Sequence, residues 1–184
     1  LEIQENIKQL FKKTFGVEPN SINEIAAHGS SRKYFRCQTE VVKVLAAYNS
    51  DKKENIAFID FARQLKQKGI NVPAIIAVDE EKDIYLLEDL GNTTLFDFIS
   101  SANENDILNI YTKIVRTLPK IQIEAGRNFD FTNAYPRKAF DSQSLQWDLN
   151  YFKYYFLKLA DICPYILCHK NDKKTYQNYR NHSS

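Results

Sequence analysis

The sequence predicts an α+β fold, in which a five-stranded antiparallel sheet with one packed helix comes first and a set of helices follows. Five short apolar segments with strand composition lie between residues 22 and 87, and the short connections among most of them favour hairpins. One helical pattern interrupts these segments, and beyond residue 91 the apolar residues recur at helical spacing. The chain of 184 residues is therefore expected to form one domain or two small lobes.

The organising element is the segment Glu-Asp-Leu-Gly at residues 88–91, called the hinge below, which separates the last strand from the later helices. Thr93 or Thr94 is expected to cap the next helix, with Asp97 in the first turn, where the helix dipole favours a carboxylate. A strand that ends in such a short connection and passes into a helix can join two lobes. The predicted domains are a small lobe over 1–90, the start of a helical lobe over 91–162 and an irregular basic tail over 163–184.

Two helices accompany the predicted strands before this hinge. Apolar residues at helical spacing between residues 3 and 15, followed by Gly16, predict an amphipathic first helix. The segment Asp-Lys-Lys-Glu at 51–54 has the capping-box pattern and opens a second helix, which Gly69 ends. The expected strands cover residues 22–27, 34–36, 41–48, 74–78 and 84–87.

After the hinge, residues 107–118 have the apolar spacing of a helix, and Pro119 is expected to kink it. Residues 126–137 are expected to form a loop. Asp141 or Ser144 then caps a long helix with a cluster of aromatic residues. The regular structure of the second part of the chain is therefore expected to be helical.

Composition narrows the classes of function. The chain is 43% apolar and 13% aromatic, which is enough for a packed core, and no apolar run approaches the length of a membrane span. Its three cysteines are few, odd in number and without zinc-site spacing, which favours a reducing, cytoplasmic location and no metal site. The net charge of +2 comes from a basic tail after residue 169, interpreted as a solvated terminus. The sequence thus predicts neither a nucleic-acid nor a membrane partner.

Two segments of the predicted sheet could contact phosphate. The turn Gly29-Ser30-Ser31-Arg32 lies between two strands, where small residues let backbone N–H groups approach an anion; the alternative is an ordinary hairpin turn. Lys43 lies within an apolar strand, either on the solvent face or as a buried cation that meets a phosphate and a carboxylate. In the second case Glu54, on the following helix, is the expected partner, and Val42 and Val44 should point away from it.

The hinge could recognise a flat base. Backbone N–H and C=O groups at 88–91 follow a strand and are free to read the edge of a ring such as adenine; the alternative is a plain loop with a glycine exit. The predicted elements follow the order of the small lobe of a protein-kinase-like fold. They are a glycine turn, a strand with a lysine, a helix with a glutamate, two further strands and the hinge.

The sequence resembles the aminoglycoside phosphotransferase family, and within it the bacterial N-acetylmuramate/N-acetylglucosamine 1-kinases of cell-wall recycling. The resemblance covers about residues 5–162. The segments that carry it are 29–36 (Gly-Ser-Ser-Arg-Lys-Tyr-Phe-Arg), 48–58, 87–96, 129–137 and 147–159 (beginning Trp-Asp-Leu-Asn-Tyr-Phe).

The resemblance implies ATP and Mg²⁺ as cofactors and a small-molecule acceptor such as an amino sugar. The turn would cover the phosphates, Glu54 would belong to the helix that organises them, and the hinge would offer backbone groups to adenine. The family's lysine position aligns nearer Ala46 or Ala47 than Lys43. The implied cofactor-binding residues are Gly29, Ser30, Ser31, Arg32, Lys43, Glu54, Glu88 and Leu90, and the implied substrate-binding residues are Trp147 and Asp148.

The sequence departs from the family at the catalytic loop. The family uses a His-x-Asp-x-x-x-x-Asn segment and a later metal-binding aspartate. Here His169 is followed by Asn171 and Tyr176 at the positions of the Asp and the Asn, so no catalytic residue and no metal ligand is predicted. We expect the N-terminal portion of a phosphotransferase, inactive by itself. The alternative is a non-catalytic kinase-like binding or interaction module, with the aromatics at 151–156 as its partner surface. Self-association through helices left uncovered by the missing part of the enzyme is a further expectation.

Overall fold

The computed structural model describes residues 2–26 and 31–157. The chain divides into two compact units, Leu1–Lys138 and Ala139–Ser184, and each is described by itself. The tail predicted over 163–184 lies outside the described residues. The lobe boundary at residue 90 stays a prediction.

The first unit contains a five-stranded sheet in which all neighbouring strands are antiparallel, as predicted from the sequence. Because the last strand lies between two others, the hinge leaves from the interior of the sheet and not from an edge. The strands are β1 (Ser21–Ile25), β2 (Lys33–Gln38), β3 (Lys43–Tyr48), β4 (Ile75–Asp79) and β5 (Ile84–Glu88), in the order β1-β2-β3-β5-β4.

One helix packs on each face of this sheet. Along β3, Val44 and Ala46 join the core under α1 (Glu2–Phe15), whereas Leu45 and Ala47 join the core under α2 (Lys52–Gln67). This is the two-residue alternation of a strand that is covered on both sides. The two surfaces are called the α1 face and the α2 face below.

The α1 face contains the larger core cluster. Ile7 and Phe11 of the helix are fully buried against Phe35 and Leu86 of the sheet. Burying each such side chain stabilises the fold by roughly 1.5–3 kcal/mol. The helix ends at Gly16, as predicted, where φ is +76° and the N–H donates to Lys12 O at 2.8 Å.

The start of α2 determines where the functional residues lie. Asp51 is the N-cap, and its carboxylate accepts hydrogen bonds from the N–H groups of Lys53 and Glu54, both at 3.1 Å. The backbone N–H of Asp51 donates to Asn49 Oδ1 at 3.1 Å. The reciprocal half of the predicted capping box is therefore wrong, and the Glu54 side chain is available for another partner.

The hinge passes into helices whose N-termini are capped. Thr94 caps α3 (Leu95–Ser101) in a full capping box with Asp97, so Thr94 is the cap among the two predicted threonines. The next helix, α4 (Glu104–Pro119), is followed by a π-helical segment, Lys120–Ala125. Pro119 has no N–H to donate, which removes one α-helical hydrogen bond where the geometry changes.

The second unit is described through residue 157. Asp141 caps α5 (Ser142–Tyr151) by accepting from Ser144 N at 2.8 Å, and a π-helical segment, Phe152–Leu157, follows. The predicted long helix therefore changes geometry after residue 151. Among the helices described, none combines the length and the apolar character needed to cross a bilayer.

Candidate functional site

The centre of the candidate site is an ion pair between the residue before β2 and the first turn of α2. Arg32 Nη2 lies 2.8 Å from Glu54 Oε1, and the arginine side chain is 8% exposed against 40% for the glutamate. The guanidinium carbon lies 4.7 Å from the centre of the Phe58 ring, which adds a cation–π contact. The cation is therefore held by a carboxylate and an aromatic ring of the same helix.

Asn49 completes this arrangement from the connection between β3 and α2. Its side-chain Nδ2 donates to Glu54 Oε2 at 2.9 Å, and its backbone carbonyl accepts from Asn55 Nδ2 at 2.6 Å. Asn49 is 1% exposed, so its polar groups depend on protein partners and not on water. Both oxygens of the Glu54 carboxylate thus have a protein donor.

Simple sequence rules account for the pair. The period of two along β2 places Arg32 on the α2 face together with Tyr34, which packs in the core under α2. Since Asp51 is the N-cap, Glu54 falls in the first turn of the helix, where the dipole favours a carboxylate. A side chain from the strand start therefore meets a side chain from the helix start.

The predicted pairing of Lys43 with Glu54 is wrong. Lys43 Nζ instead lies 3.6 Å from Asp89 Oδ2 and is 48% exposed. The reason is position, because Lys43 is the first residue of β3, whereas α2 follows the last residue, about 17 Å further along the strand. The associated prediction that Val42 and Val44 point the other way is confirmed, since both pack in the core under α1.

A second arginine–carboxylate pair lies at the hinge end of the same face. Arg36 Nε donates to Asp89 Oδ2 at 2.7 Å and Arg36 Nη2 donates to Asp89 Oδ1 at 3.0 Å. The guanidinium also donates to Gly91 O at 3.1 Å and to Asn92 Oδ1. Arg36 of β2 therefore fixes the hinge through four acceptor atoms, one of which is the backbone carbonyl of Gly91.

The Asp89 carboxylate is almost fully enclosed, with 2% of its side chain exposed. Burial raises its pKa, but the Arg36 hydrogen bond, the Gly91 N–H and the charges of Arg36 and Lys43 outweigh burial and hold the pKa below its usual value. Gly91 has φ +95°, a conformation that glycine adopts without strain, and its N–H donates to Asp89 Oδ1 at 2.9 Å.

The two predicted adenine-contacting residues differ in what their backbone can offer. The N–H of Glu88 donates to Ala74 O at 2.9 Å, and the Glu88 carboxylate accepts from Ala74 N and Lys66 Nζ. The Ala74 N–H and Lys66 hold the pKa of Glu88 below its usual value. Leu90 is 66% exposed, and its backbone makes no hydrogen bond within the part of the chain that the structure describes. Leu90 is therefore the better candidate.

Part of the predicted phosphate turn cannot be placed. Gly29 and Ser30 lie outside the described residues, whereas Ser31 is exposed and Arg32 is buried. A role for the turn in covering phosphates stays a prediction.

A cavity of about 350 Å³ adjoins the Arg32–Glu54 pair. Its walls are apolar side chains of α2 and the residues before β4, and Tyr135 borders it. A larger cavity of about 490 Å³ is lined by other α2 residues, such as Asp60 and Arg63, and by the β4–β5 turn. It contains none of the predicted site residues, so the smaller cavity is the relevant one.

The predicted acceptor residues belong to the second unit. Trp147 is 74% exposed and, with Asp148, lines a shallow groove of about 330 Å³ together with three tyrosines. Tyr151 and Tyr155 stack there with ring centres 4.5 Å apart. A role in acceptor binding stays a prediction for both residues.

No metal site is evident in residues 2–26 and 31–157, which hold no group of three or more His, Cys, Asp or Glu side chains placed to bind an ion. Cys37 is buried under α1, and burial raises its pKa to about 12, so it is a thiol at neutral pH.

Comparison of this chain with protein-family models and with curated proteins gave no match.

Two residues of this geometry, Arg36 and Asn49, were not predicted from the sequence. Arg36 could have been found from strand alternation, because it shares the α2 face with Arg32 and lies two strands from the hinge. Asn49 stands two residues before an N-cap, where its side chain commonly accepts from the backbone. Neither pattern reveals which carboxylate the arginine meets.

Proposed function

We propose that the α2 face of the sheet binds ATP as the small lobe of a kinase-like phosphotransferase, with the phosphates at the Arg32–Glu54 pair and the base at the hinge. The observation that carries the proposal is the pair itself, in which a largely buried cation, the last residue of the predicted phosphate turn, is fixed by a helix carboxylate. Kinases position the phosphates of ATP with a cation from the sheet and a glutamate from the helix that packs on it.

Electrostatics supports the phosphate end. A guanidinium with little exposure to water interacts more strongly with an anion than a solvated one does. Glu54 offsets the cost of burying that cation when no phosphate is bound. In this proposal Arg32 takes the role that Lys43 was expected to have, while Lys43 supports the hinge.

The hinge end supports the base. Arg36 and Asp89 hold the connection after β5 in one conformation, and the Leu90 backbone groups remain open to a ligand. A fixed backbone recognises a flat base at a low entropic cost because it is already ordered.

Magnesium does not fit this part of the chain. Both oxygens of Glu54 are engaged, by Arg32 and by Asn49, and a hard cation needs several oxygen ligands. We therefore assign no magnesium-dependent step to these residues.

We propose that the chain is the N-terminal portion of an ATP-dependent phosphotransferase located in the cytoplasm. The acceptor would be a small molecule such as an amino sugar. The 184 residues contain no His-x-Asp-x-x-x-x-Asn segment to orient the acceptor hydroxyl. We therefore expect nucleotide binding without turnover. ADP release in the presence of amino sugars should equal that of a mock purification, and release above that level would show that catalytic residues were missed.

Calorimetric titration of ATP and of adenosine into wild type, Arg32→Ala and Lys33→Ala tests the proposal. Lys33 is the matched control, because it is the adjacent cation, is exposed and alternates to the other face of the strand. Arg32→Ala should weaken ATP binding by about tenfold, the size of a lost charge-assisted contact, with a much smaller effect on adenosine.

Lys33→Ala should change ATP affinity by less than about twofold, as an exposed charge does. Arg32→Lys, with its unfolding midpoint measured in parallel, separates loss of binding from loss of the fold. Wild type that binds neither ligand, or equal losses for the two alanine variants, would contradict the proposal.

Exposed aromatic residues favour a second candidate, an interaction module. In the second unit Trp147, Tyr151 and Tyr155 are each more than half exposed, which is unusual for such large side chains. Self-association would appear in sedimentation velocity as a concentration-dependent increase in mass that Trp147→Ser abolishes. A monomer at all concentrations would exclude self-association.

A further inference from the structure

Residues 127–135, called the α2 strap below, contact helix α2 from its last turn to its N-cap. The chain reaches this segment after α4 and its π-helical extension, and all of it lies in the first unit. The strap meets the helix in reverse order. Lys68 Nζ donates to Arg127 O at 2.6 Å, Gln64 bonds to Asp130, Asn133 Nδ2 donates to Asp60 Oδ2 at 3.1 Å, and the Tyr135 hydroxyl bonds to the Asp51 carboxylate.

The contact in the middle is specific as well as apolar. Gln64 Nε2 donates to Asp130 O at 3.0 Å, while Gln64 Oε1 accepts from Asp130 N at 2.8 Å. The side-chain amide thus satisfies both backbone groups of one residue, as a neighbouring strand would. Phe61 packs beside it, edge-on to Phe129 and Phe131 at ring-centre distances of 5.0 and 6.1 Å.

The strap reaches the candidate site at the N-cap of α2. Asp51 is the N-cap of the helix turn that carries Glu54, and its carboxylate forms a hydrogen bond with the Tyr135 hydroxyl. Tyr135 also borders the cavity that Arg32 and Glu54 line. Since a helix moves largely as a rigid element, a displacement of α2 would move Glu54 away from Arg32.

We propose that the α2 strap positions Glu54 against Arg32, with Gln64 and Tyr135 as the positioning residues. This inference rests on the proposed nucleotide function, because its measurable consequence is that the contacts of the strap determine the affinity for phosphate. It assigns a role to a segment that contacts α2 from its last turn to its N-cap.

A strap that only stabilised the fold would make the same contacts, so the test must separate positioning from stability. A double-mutant cycle does this. If Gln64 acts through Glu54, then Gln64→Ala should weaken ATP binding in wild type and have no further effect once Glu54→Gln has removed the charge.

The variants are Gln64→Ala, Tyr135→Phe and, as matched control, Gln67→Ala. Gln67 is an exposed residue of the same type on the same helix, and its side chain makes no hydrogen bond among the described residues. Gln64→Ala should weaken ATP and inorganic triphosphate binding roughly five- to tenfold, the range expected for losing one or two hydrogen bonds. Tyr135→Phe should weaken binding about threefold, as it removes only the hydroxyl. Gln67→Ala should leave the affinity unchanged.

Amide hydrogen exchange over residues 52–67 provides a readout that does not need a nucleotide. Exchange should accelerate in Gln64→Ala and Tyr135→Phe but not in Gln67→Ala. Unchanged exchange in the strap variants, or the same loss of affinity from Gln64→Ala in the wild-type and Glu54→Gln backgrounds, would overturn the inference. Should wild type bind no ATP, the proposed function fails, and coupling of Gln64→Ala with Glu54→Gln in urea unfolding decides on the strap.

Discussion

Two arginine–carboxylate pairs lie at opposite ends of the α2 face, and they differ in how completely they are enclosed. At the hinge, Asp89 is 2% exposed and accepts from Arg36, Gly91 N and, more loosely, Lys43. At the other end, Glu54 is 40% exposed although Arg32 is only 8% exposed. The first pair is a side-chain pair that also bonds the Gly91 backbone, whereas the second leaves its carboxylate facing water beside a cavity.

The difference suggests a division of roles between the two ends. An enclosed pair with every acceptor satisfied is costly to break and holds structure, because removing one partner strands a buried charge. A pair with one exposed member tolerates rearrangement when a ligand arrives. We therefore expect substitutions at the hinge pair to change stability most and substitutions at the Arg32–Glu54 pair to change ligand binding most.

The largest expected effect is that of Asp89→Ala. It leaves Arg36 partly buried without its carboxylate, which should reduce the free energy of unfolding by about 3 kcal/mol. Urea unfolding followed by circular dichroism measures this. Glu18→Ala, which removes an exposed carboxylate bridged to Lys8 and Lys12, is the control and should have little effect. Equal losses for the two variants would show that the hinge pair is no more structural than a surface pair.

Glu54→Gln should change ATP affinity more than stability, the opposite of Asp89→Ala. It removes the charge that fixes Arg32 but keeps an acceptor, so the unfolding free energy should fall by only about 1 kcal/mol while ATP affinity falls by about tenfold. Calorimetry and urea unfolding on the same preparation give both numbers. A stability loss as large as that of Asp89→Ala would remove the distinction between the two ends.

The pH dependence of stability sharpens the contrast further. The pKa of Asp89 is lower in the folded protein than its unfolded value of about 3.9, so the folded state binds fewer protons. The stabilisation is therefore fully present above that unfolded value and is lost as pH falls through the folded pKa. Urea unfolding between pH 3 and pH 7, at about unit intervals, should show a shallower acid decline in Asp89→Asn than in wild type. Parallel curves would mean that Asp89 is not perturbed.

The smallest expected effect is that of Lys43→Ala. Its ammonium lies 3.6 Å from Asp89 and is about half exposed, so its loss should cost less than about 1 kcal/mol and leave ATP affinity unchanged. Thermal unfolding and ATP titration check this. A marked loss of ATP affinity would restore Lys43 as the phosphate-binding cation.

The sequence was sufficient for the sheet and for the helix that packs on its α2 face. Strand alternation, the Asp51 cap and Gly16 are local signals, and each appears in the structure. The partner of Glu54 was missed because it depends on which end of β3 each side chain reaches, a cross-strand property that spacing along the chain does not contain. The strap was missed for the same reason, since Gln64 and Asp130 are 66 residues apart.

We propose that the Arg32 end of the α2 face binds phosphate whereas the Arg36 end holds the fold. Arg32→Lys and Arg36→Lys, measured side by side for ATP affinity and for unfolding free energy, test it most directly, because each keeps the charge and removes the guanidinium geometry. We expect Arg32→Lys to lose more affinity than stability and Arg36→Lys to lose more stability than affinity. Two variants with the same ratio of losses would contradict it.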